Sequence, residues 1–326
     1  MNRFCAGLIR GSFVALLCAG STDSGLCEAA ENRPTCPPAA RIPAPDEIQT
    51  AMTSARDHGF LWRIRKGGRT SYLYGTLHVG KIDWMFPGPA VSDAVRTSDA
   101  VALELDILDP LVMEQIQAGI MPKPERKLPP PLSDRLRAQL DAACLPEELM
   151  TTMAPEMVAV TLGVMAGRQR GLDPSYASDS VLAGMGHSLG KTVSSLETPE
   201  SQLALLLART PEQAQAFVEG VLGELESGKA ITLITRIAQV WADGRFDELE
   251  RYERWCDCLN TDDARATNKR MIDDRNPVLA AGIDAMHAEG KQVFAAVGSL
   301  HMIGKQGLPR LMAQRGYTVE RVPFKQ

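Results

Sequence analysis

The sequence predicts an α/β protein: a mixed central sheet flanked by many helices, with a core that reads as duplicated. Three observations predict it. Two apolar runs, SYLYGTLH and VFAAVGSLH, end in the same Gly-x-x-His step, Gly75 to His78 and Gly298 to His301. Two more apolar runs end in a glutamate, VALELD at Glu104 and KTVSSLET at Glu197. Between them lie long Ala/Leu-rich segments with helical spacing. The 326 residues suffice for a large α/β domain with ample core. Apolar residues make up 44% and charged residues 23%, an ordinary globular balance. A net charge of -5 with no Lys/Arg run gives no electrostatic case for nucleic acid.

In chain order, residues 1–30 read as a secretory signal peptide. Arg3 and Arg10 precede the apolar GSFVALLCAG, and small residues follow to Ala30. The run is too short to span a bilayer. A lipoprotein site at Cys18 is the weaker alternative, because Leu17 is a poor residue before a modified cysteine. Residues 31–45 are Pro-rich and predict an extended linker, which could tether the domain to a membrane. The domain then runs over 46–326. Leu61–Arg65 and Ser71–Gly75 predict a hairpin around Gly67-Gly68. A loop at Trp84–Pro89, a short amphipathic helix and a buried strand Ala100–Asp106 complete a βαβ-like unit. Pro110 to about Gly171 is helical, broken at LPPPLS. DSVLAGMGHSLG predicts a helix to Gly190, feeding the strand that ends at Glu197. Thr210-Pro211-Glu212-Gln213 reads as a capping box, with helices continuing to Trp255. Asn276, before Pro277, reads as the N-cap of a helix ending near Gly290. A buried strand, a closing helix and the strand YTVERV follow.

Four candidate residues fall at the carboxyl ends of strands, where open α/β sheets gather ligands: His78, Glu104, Glu197 and His301. Gly-x-x-His lets the backbone leave the strand sharply and present an imidazole. Two imidazoles with carboxylates form a common set for a catalytic divalent metal, which would acidify water. A carboxylate in a run as apolar as VALELD is expensive unless it is paired or bound to metal. Arg275 and Asn276 are candidates for holding substrate or an oxyanion, although capping alone accounts for Asn276. Capping also suffices for Asp179. His58, His187 and His287 read as packing or surface residues. Ser299 lacks the G-x-S-x-G elbow of a serine hydrolase.

Seven cysteines are present, and Cys36, Cys144, Cys256 and Cys258 lie beyond the signal and its cut region. In an oxidising compartment four cysteines predict two disulfides, with three connectivities open. The close pair Cys256 and Cys258 leaves a zinc site as the alternative.

FLWRIRKGGRTSYLYGTLHVGK, VALELD, LGKTVSSLET, DDRNPVLAAGI and VGSLHMIGKQGLPRLMAQRGYTVERV, in this order, resemble the TraB/GumN family. That family is related to the Tiki membrane-anchored proteases and, more distantly, to the erythromycin-esterase/ChaN-like proteins. The resemblance covers Phe60 to Val322. It implies an α/β fold with a pseudo-twofold arrangement. For Tiki-like members it implies peptide hydrolysis dependent on Mn or Co, with Zn as a third candidate. Carried onto this chain, His78, His301, Glu104 and Glu197 would be the metal set. Glu104, Glu197, Arg275 and Asn276 would be the catalytic set, and Asp179 matches a family aspartate. The expectation is an exported, periplasmic or secreted metal-dependent hydrolase acting on a peptide or protein. The alternative is a periplasmic protein that binds haem or another ligand without hydrolysing it. Nothing in the sequence fixes an oligomeric state.

Overall fold

The computed structural model describes residues 36–41 and 43–324. The expected signal peptide, 1–30, and the first part of the Pro-rich segment lie outside the described residues. The described part of that segment lies against the domain. Cys36 is bonded to Cys144, and the backbone N–H groups of Ala40 and Arg41 donate to Asp173 and to the Tyr176 hydroxyl. The second disulfide joins Cys256 to Cys258, which gives the close pair a partner without zinc. No helix among the described residues is long and apolar enough to cross a membrane.

Six strands form one mixed sheet: β1 Phe60–Lys66, β2 Arg69–Thr76, β3 Ala100–Leu103, β4 Thr192–Ser195, β5 Val293–Gly298 and β6 Thr318–Val322. Their order is β4-β3-β5-β2-β1-β6. The hairpin of β1 and β2 turns at Gly67 and Gly68, both at positive φ (58° and 76°), where a residue with a side chain would be strained. The strands β2, β5, β3 and β4 are parallel neighbours. All four therefore end on the same edge. Each residue of β3 and β5 is buried, as expected of strands covered on both faces.

This order does not establish a duplicated core. The β1–β2 hairpin has no counterpart at β3 and β4, which are parallel and separated by the whole stretch from Leu103 to Thr192. The two Gly-x-x-His strands lie side by side, with Thr76 opposite Gly298, and the two glutamate strands form the next parallel pair.

Five helices position the site: α1 Pro110–Gly119, α2 Pro155–Met165, α3 Ser178–Ser188, α4 Pro199–Leu206 and α5 Asn276–Ala288. Two hydrophobic cores result. One surrounds the sheet and is anchored by Trp241, Phe294 and Leu103. The other is helical and is built from Ile116, Leu136, Met157, Val158 and Leu222.

Two cap assignments differ from the sequence reading. Thr210 accepts from the N–H of Gln213, but the Gln213 side chain takes the N–H of Arg209, so the box is not reciprocal. The reciprocal box is Thr198 with Ser201, at the entry to α4. Asn276 is the first residue of α5 and makes no cap bond. Its side chain is used elsewhere.

Candidate functional site

The carboxyl edge of the parallel strands brings all the candidate residues together. The turn after β2 is fixed from outside the sheet. Leu77 N–H donates to Ser178 Oγ, and Ser178 N–H donates to the Leu77 carbonyl. This places the first turn of α3 against His78, and His78 Nδ1 lies 3.0 Å from Asp179 Oδ2. The turn after β5 is tied to β2 through Ser299 Oγ, which donates to the Thr76 carbonyl at 2.8 Å. Each motif glycine makes room for a specific neighbour. A Cβ on Gly75 would come within 2.9 Å of Ser299 Oγ, and a Cβ on Gly298 within 3.1 Å of Glu104 Oε1.

The strand β3 stops at Leu103, short of the expected Asp106, and β4 stops at Ser195, short of Glu197. The next residues turn so that both carboxylates meet Arg275. Arg275 Nε donates to Glu197 Oε1 at 2.8 Å, and Nη2 reaches Glu197 Oε2 and Glu104 Oε2 at 2.5 Å each. Arg275 Nη1 reaches the Met271 carbonyl at 2.8 Å and His301 Nε2 at 3.1 Å. The fork is delivered by a π-helical turn over Lys269–Asp273, a geometry frequent at functional sites. Gln202 Nε2 bridges Glu104 Oε2 at 3.3 Å and Glu197 Oε2 at 3.0 Å. The sequence reading missed Gln202. Its only signal is its place one helical turn inside a helix that starts beside Glu197.

Both motif histidines are held at Nδ1. Asp179 holds His78, and Asn276 Oδ1 holds His301 at 2.6 Å. The Asn276 amide NH2 donates to the carbonyls of His301 and Gln306, so its oxygen faces the ring and the His301 Nδ1 is the protonated nitrogen. His301 Nε2 then accepts from Arg275. Burial pushes the His301 pKa down to about 4, and the cations Arg275 and His78 add to that against Glu104 and Glu197. His78 moves the other way. The Asp179 charge raises it to about 9, against burial. Its side chain is 61% exposed at the cleft mouth, so solvent screens the pair and its weight in stability is small. Burial opposes ionisation of Glu104. His301, which becomes charged only in the acid range where this carboxyl titrates, together with His78, Arg275 and the Gly298 N–H on Oε1, outweighs it and holds the carboxyl at about 2.

A cleft of about 270 Å³ opens over this edge, between the two cores. His78, Glu104 and Asp179 line it. Glu197, His301 and Arg275 are not among the lining residues. In the cleft, His78 Nε2 and Glu104 Oε1 converge. Both face Gly298: a Cβ there would lie 3.6 Å from His78 Nε2 and 3.1 Å from Glu104 Oε1, and the Gly298 N–H donates to Oε1 at 2.7 Å. Asp179 Oδ1 is buried and has no hydrogen-bond partner among the described residues. The other histidines pack: His58 binds the Ala242 carbonyl, His187 pairs with Asp106, and buried His287 bonds Ser71 and the Lys66 carbonyl.

The donor types suit a divalent ion, and a carboxylate or amide behind each imidazole is what metal-binding histidines usually have. The arrangement does not suit one. The cation between the carboxylates is the Arg275 guanidinium, which occupies Glu197, one oxygen of Glu104 and His301 Nε2. Among the described residues, no three His, Cys, Asp or Glu side chains are grouped to hold a metal.

The model of the TraB/PrgY/gumN family matches residues 60–321. The chain belongs to the TraB/PrgY/gumN family. The match spans all six strands almost entirely and every side chain of the site. No curated protein and no solved structure gives a significant match.

Proposed function

We propose that this chain is a hydrolase of peptide or protein substrates, with its reacting centre where His78 Nε2 and Glu104 Oε1 converge over Gly298. That convergence, at one end of a cleft, is the observation that carries the reading. The arrangement supports an acid–base pair. Glu104 Oε1 orients a water and takes its proton as the oxygen bonds to the substrate carbonyl carbon. The imidazolium of His78 donates its Nε2 proton as the carbon–nitrogen bond breaks. The products are a carboxylic acid and an amine. Substrate in the cleft removes what solvent still reaches Glu104, which raises its pKa above the resting value. Arg275 and Gln202 keep Glu104 in place. Asp179 holds the orientation and charge of His78, and Arg275 with Asn276 holds His301 neutral.

The metal-dependent form of the reading, with Mn, Co or Zn on His78, His301, Glu104 and Glu197, requires Arg275 to leave Glu104, Glu197 and His301. Export belongs to the same proposal: the N-terminal 30 residues read as a signal, and two disulfides suit an oxidising compartment.

Cleavage of a randomised peptide library tests it, with wild type, Glu104→Gln and His78→Ala, each with chelator and with added Mn or Co. Cleavage that survives chelator and is lost in both variants supports the acid–base pair. Cleavage retained in either variant removes that residue from the centre. Cleavage that appears only with metal, together with stoichiometric metal lost in a His78→Ala/His301→Ala double variant, overturns the acid–base form and restores the metal.

A further inference from the structure

The proposed centre occupies only one end of the cleft. The rest is apolar, and three helices make it. Ile116 of α1, Met157, Val160 and Val164 of α2, and Leu203 and Leu206 of α4 line a continuous wall. Most polar lining groups, Thr76, His78, Glu104, Asp179 and Ser180, belong to the strand edge and to α3, while Thr161 of α2 and Gln202 of α4 are the polar residues of the wall helices. Among the described residues, no aromatic side chain other than His78 contributes. Val160 and Val164 are only partly buried although they lie in an apolar helix. They spend their surface on the cleft.

The structure assigns this wall as a specificity subsite for one unbranched or branched aliphatic side chain, that of the residue supplying the cleaved carbonyl. The inference rests on the hydrolase reading and names its substrate class. Three features select the occupant. The volume of about 270 Å³ lies just under the roughly 300–1,000 Å³ of pockets for drug-sized ligands, so it suits a side chain better than a cofactor. The two polar residues on the wall helices already spend their donors inside the protein, Thr161 on the Met157 carbonyl and Gln202 on Glu104 and Glu197, so a polar side chain buried there would go largely unsatisfied. The wall also runs directly into the His78 and Glu104 end, so a side chain in it fixes the position of the neighbouring carbonyl. Met157 is unbranched and adaptable, which lets leucine, isoleucine and methionine side chains share the slot.

The test reads binding apart from cleavage. Full-length protein with 13C-methyl methionine is titrated with N-acetyl-leucinamide, N-acetyl-alaninamide, N-acetyl-aspartamide and octanoate, following the Met157 methyl signal. The same series is run on Glu104→Gln, Val160→Phe and Val164→Phe. Leucinamide should shift Met157, with alaninamide weaker by at least about tenfold, the scale set by losing methylenes from an apolar pocket. The shift should persist in Glu104→Gln and be lost in either phenylalanine variant, each confirmed folded by its circular dichroism. The subsite is overturned if no probe moves Met157, or if the aspartate amide binds as well as leucinamide. Octanoate binding more tightly than leucinamide also overturns it, in favour of an acyl chain. Leucinamide binding without cleavage of any peptide leaves the subsite standing and sinks the hydrolase reading. Cleavage without preference for an aliphatic residue does the reverse.

Discussion

Asn276 Oδ1 and His301 Nδ1 lie 2.6 Å apart, and this contact sets the state of the second motif histidine. The sequence reads Asn276 as a helix cap. The folded chain spends it on the imidazole instead. An amide oxygen fixes the tautomer without adding charge, so burial keeps His301 neutral with a pKa of about 4. Asn276→Asp places a carboxylate at the same distance, and the His301 pKa should rise by at least about one unit. An NMR titration of the imidazole signals reads this directly. A pKa unmoved by the substitution means that residue 276 does not hold the ring.

Arg275 carries the charge balance of the buried half of the site. Its side chain and those of Glu104 and Glu197 are each at most 12% exposed. Removing one member of such a cluster leaves uncompensated buried charge, so Arg275→Ala should lose about 3–5 kcal/mol in urea unfolding. Neutralising one of the stranded carboxylates relieves part of that. Arg275→Ala/Glu197→Gln should therefore be more stable than the two single losses predict when added. Strict additivity in this cycle would mean that Arg275 and Glu197 do not interact in solution.

Much of the fold was legible because the signals are local. The Gly67-Gly68 turn and the apolar runs at Ser71–Gly75 and Val293–Gly298 place β2 and β5 from a few residues each. The sheet order was not legible. Nothing in the local pattern of β5 says that it inserts between β2 and β3, since that choice depends on packing across more than 200 residues. The four strand-end residues His78, Glu104, Glu197 and His301 stood out as polar groups closing apolar runs. Their partition did not. Whether a carboxylate faces a cleft or a guanidinium depends on where Arg275 arrives, and its π-helical approach leaves no mark in the sequence. The slot was hidden for another reason. Residues such as Met157 and Ile116 look like any core residue until three helices are placed around them.

The two histidines give stability a maximum near their shared unfolded value of 6.5. For His301 the folded pKa is depressed to about 4, so the unfolded chain binds the extra proton between pH 6.5 and 4, and stability falls as pH drops through that window. Glu104, depressed from 4.5 to about 2, extends the loss to lower pH. For His78 the folded pKa is raised to about 9, so its contribution is complete below pH 6.5 and fades as pH climbs to about 9. This alkaline limb should be shallow, because the ring is largely exposed. Melting temperatures from pH 3 to 10 test the assignment by difference. Asp179→Asn should flatten only the alkaline limb, and His301→Gln only the stretch between about pH 4 and 6.5. An alkaline limb unchanged by Asp179→Asn would show that Asp179 does not set the charge of His78.

The two motif glycines should respond differently to alanine. At Gly75 a new Cβ meets Ser299 Oγ at 2.9 Å and the Ser299 Cα at 3.3 Å. The second of these is backbone and cannot swing aside. The hydroxyl is also pinned by its bond to the Thr76 carbonyl. Gly75→Ala must therefore push β2 and the turn after β5 apart, and overpacking of this kind costs about 1–3 kcal/mol. At Gly298 the nearest atom is Glu104 Oε1 at 3.1 Å, the end of a side chain, with His301 and His78 both at 3.6 Å. Oε1 also accepts the Gly298 N–H at 2.7 Å, a bond that can lengthen by a few tenths of an ångström without breaking, so Gly298→Ala should cost at most about 1 kcal/mol. It would nevertheless fill the point on which His78 and Glu104 converge. The expected pattern is a lowered melting temperature for Gly75→Ala and a near-normal one for Gly298→Ala. The Gly298→Ala variant should also lose peptide cleavage and show a shifted His78 NMR signal. If Gly298→Ala left that signal and cleavage untouched, the space beside Gly298 would not be where the chemistry happens.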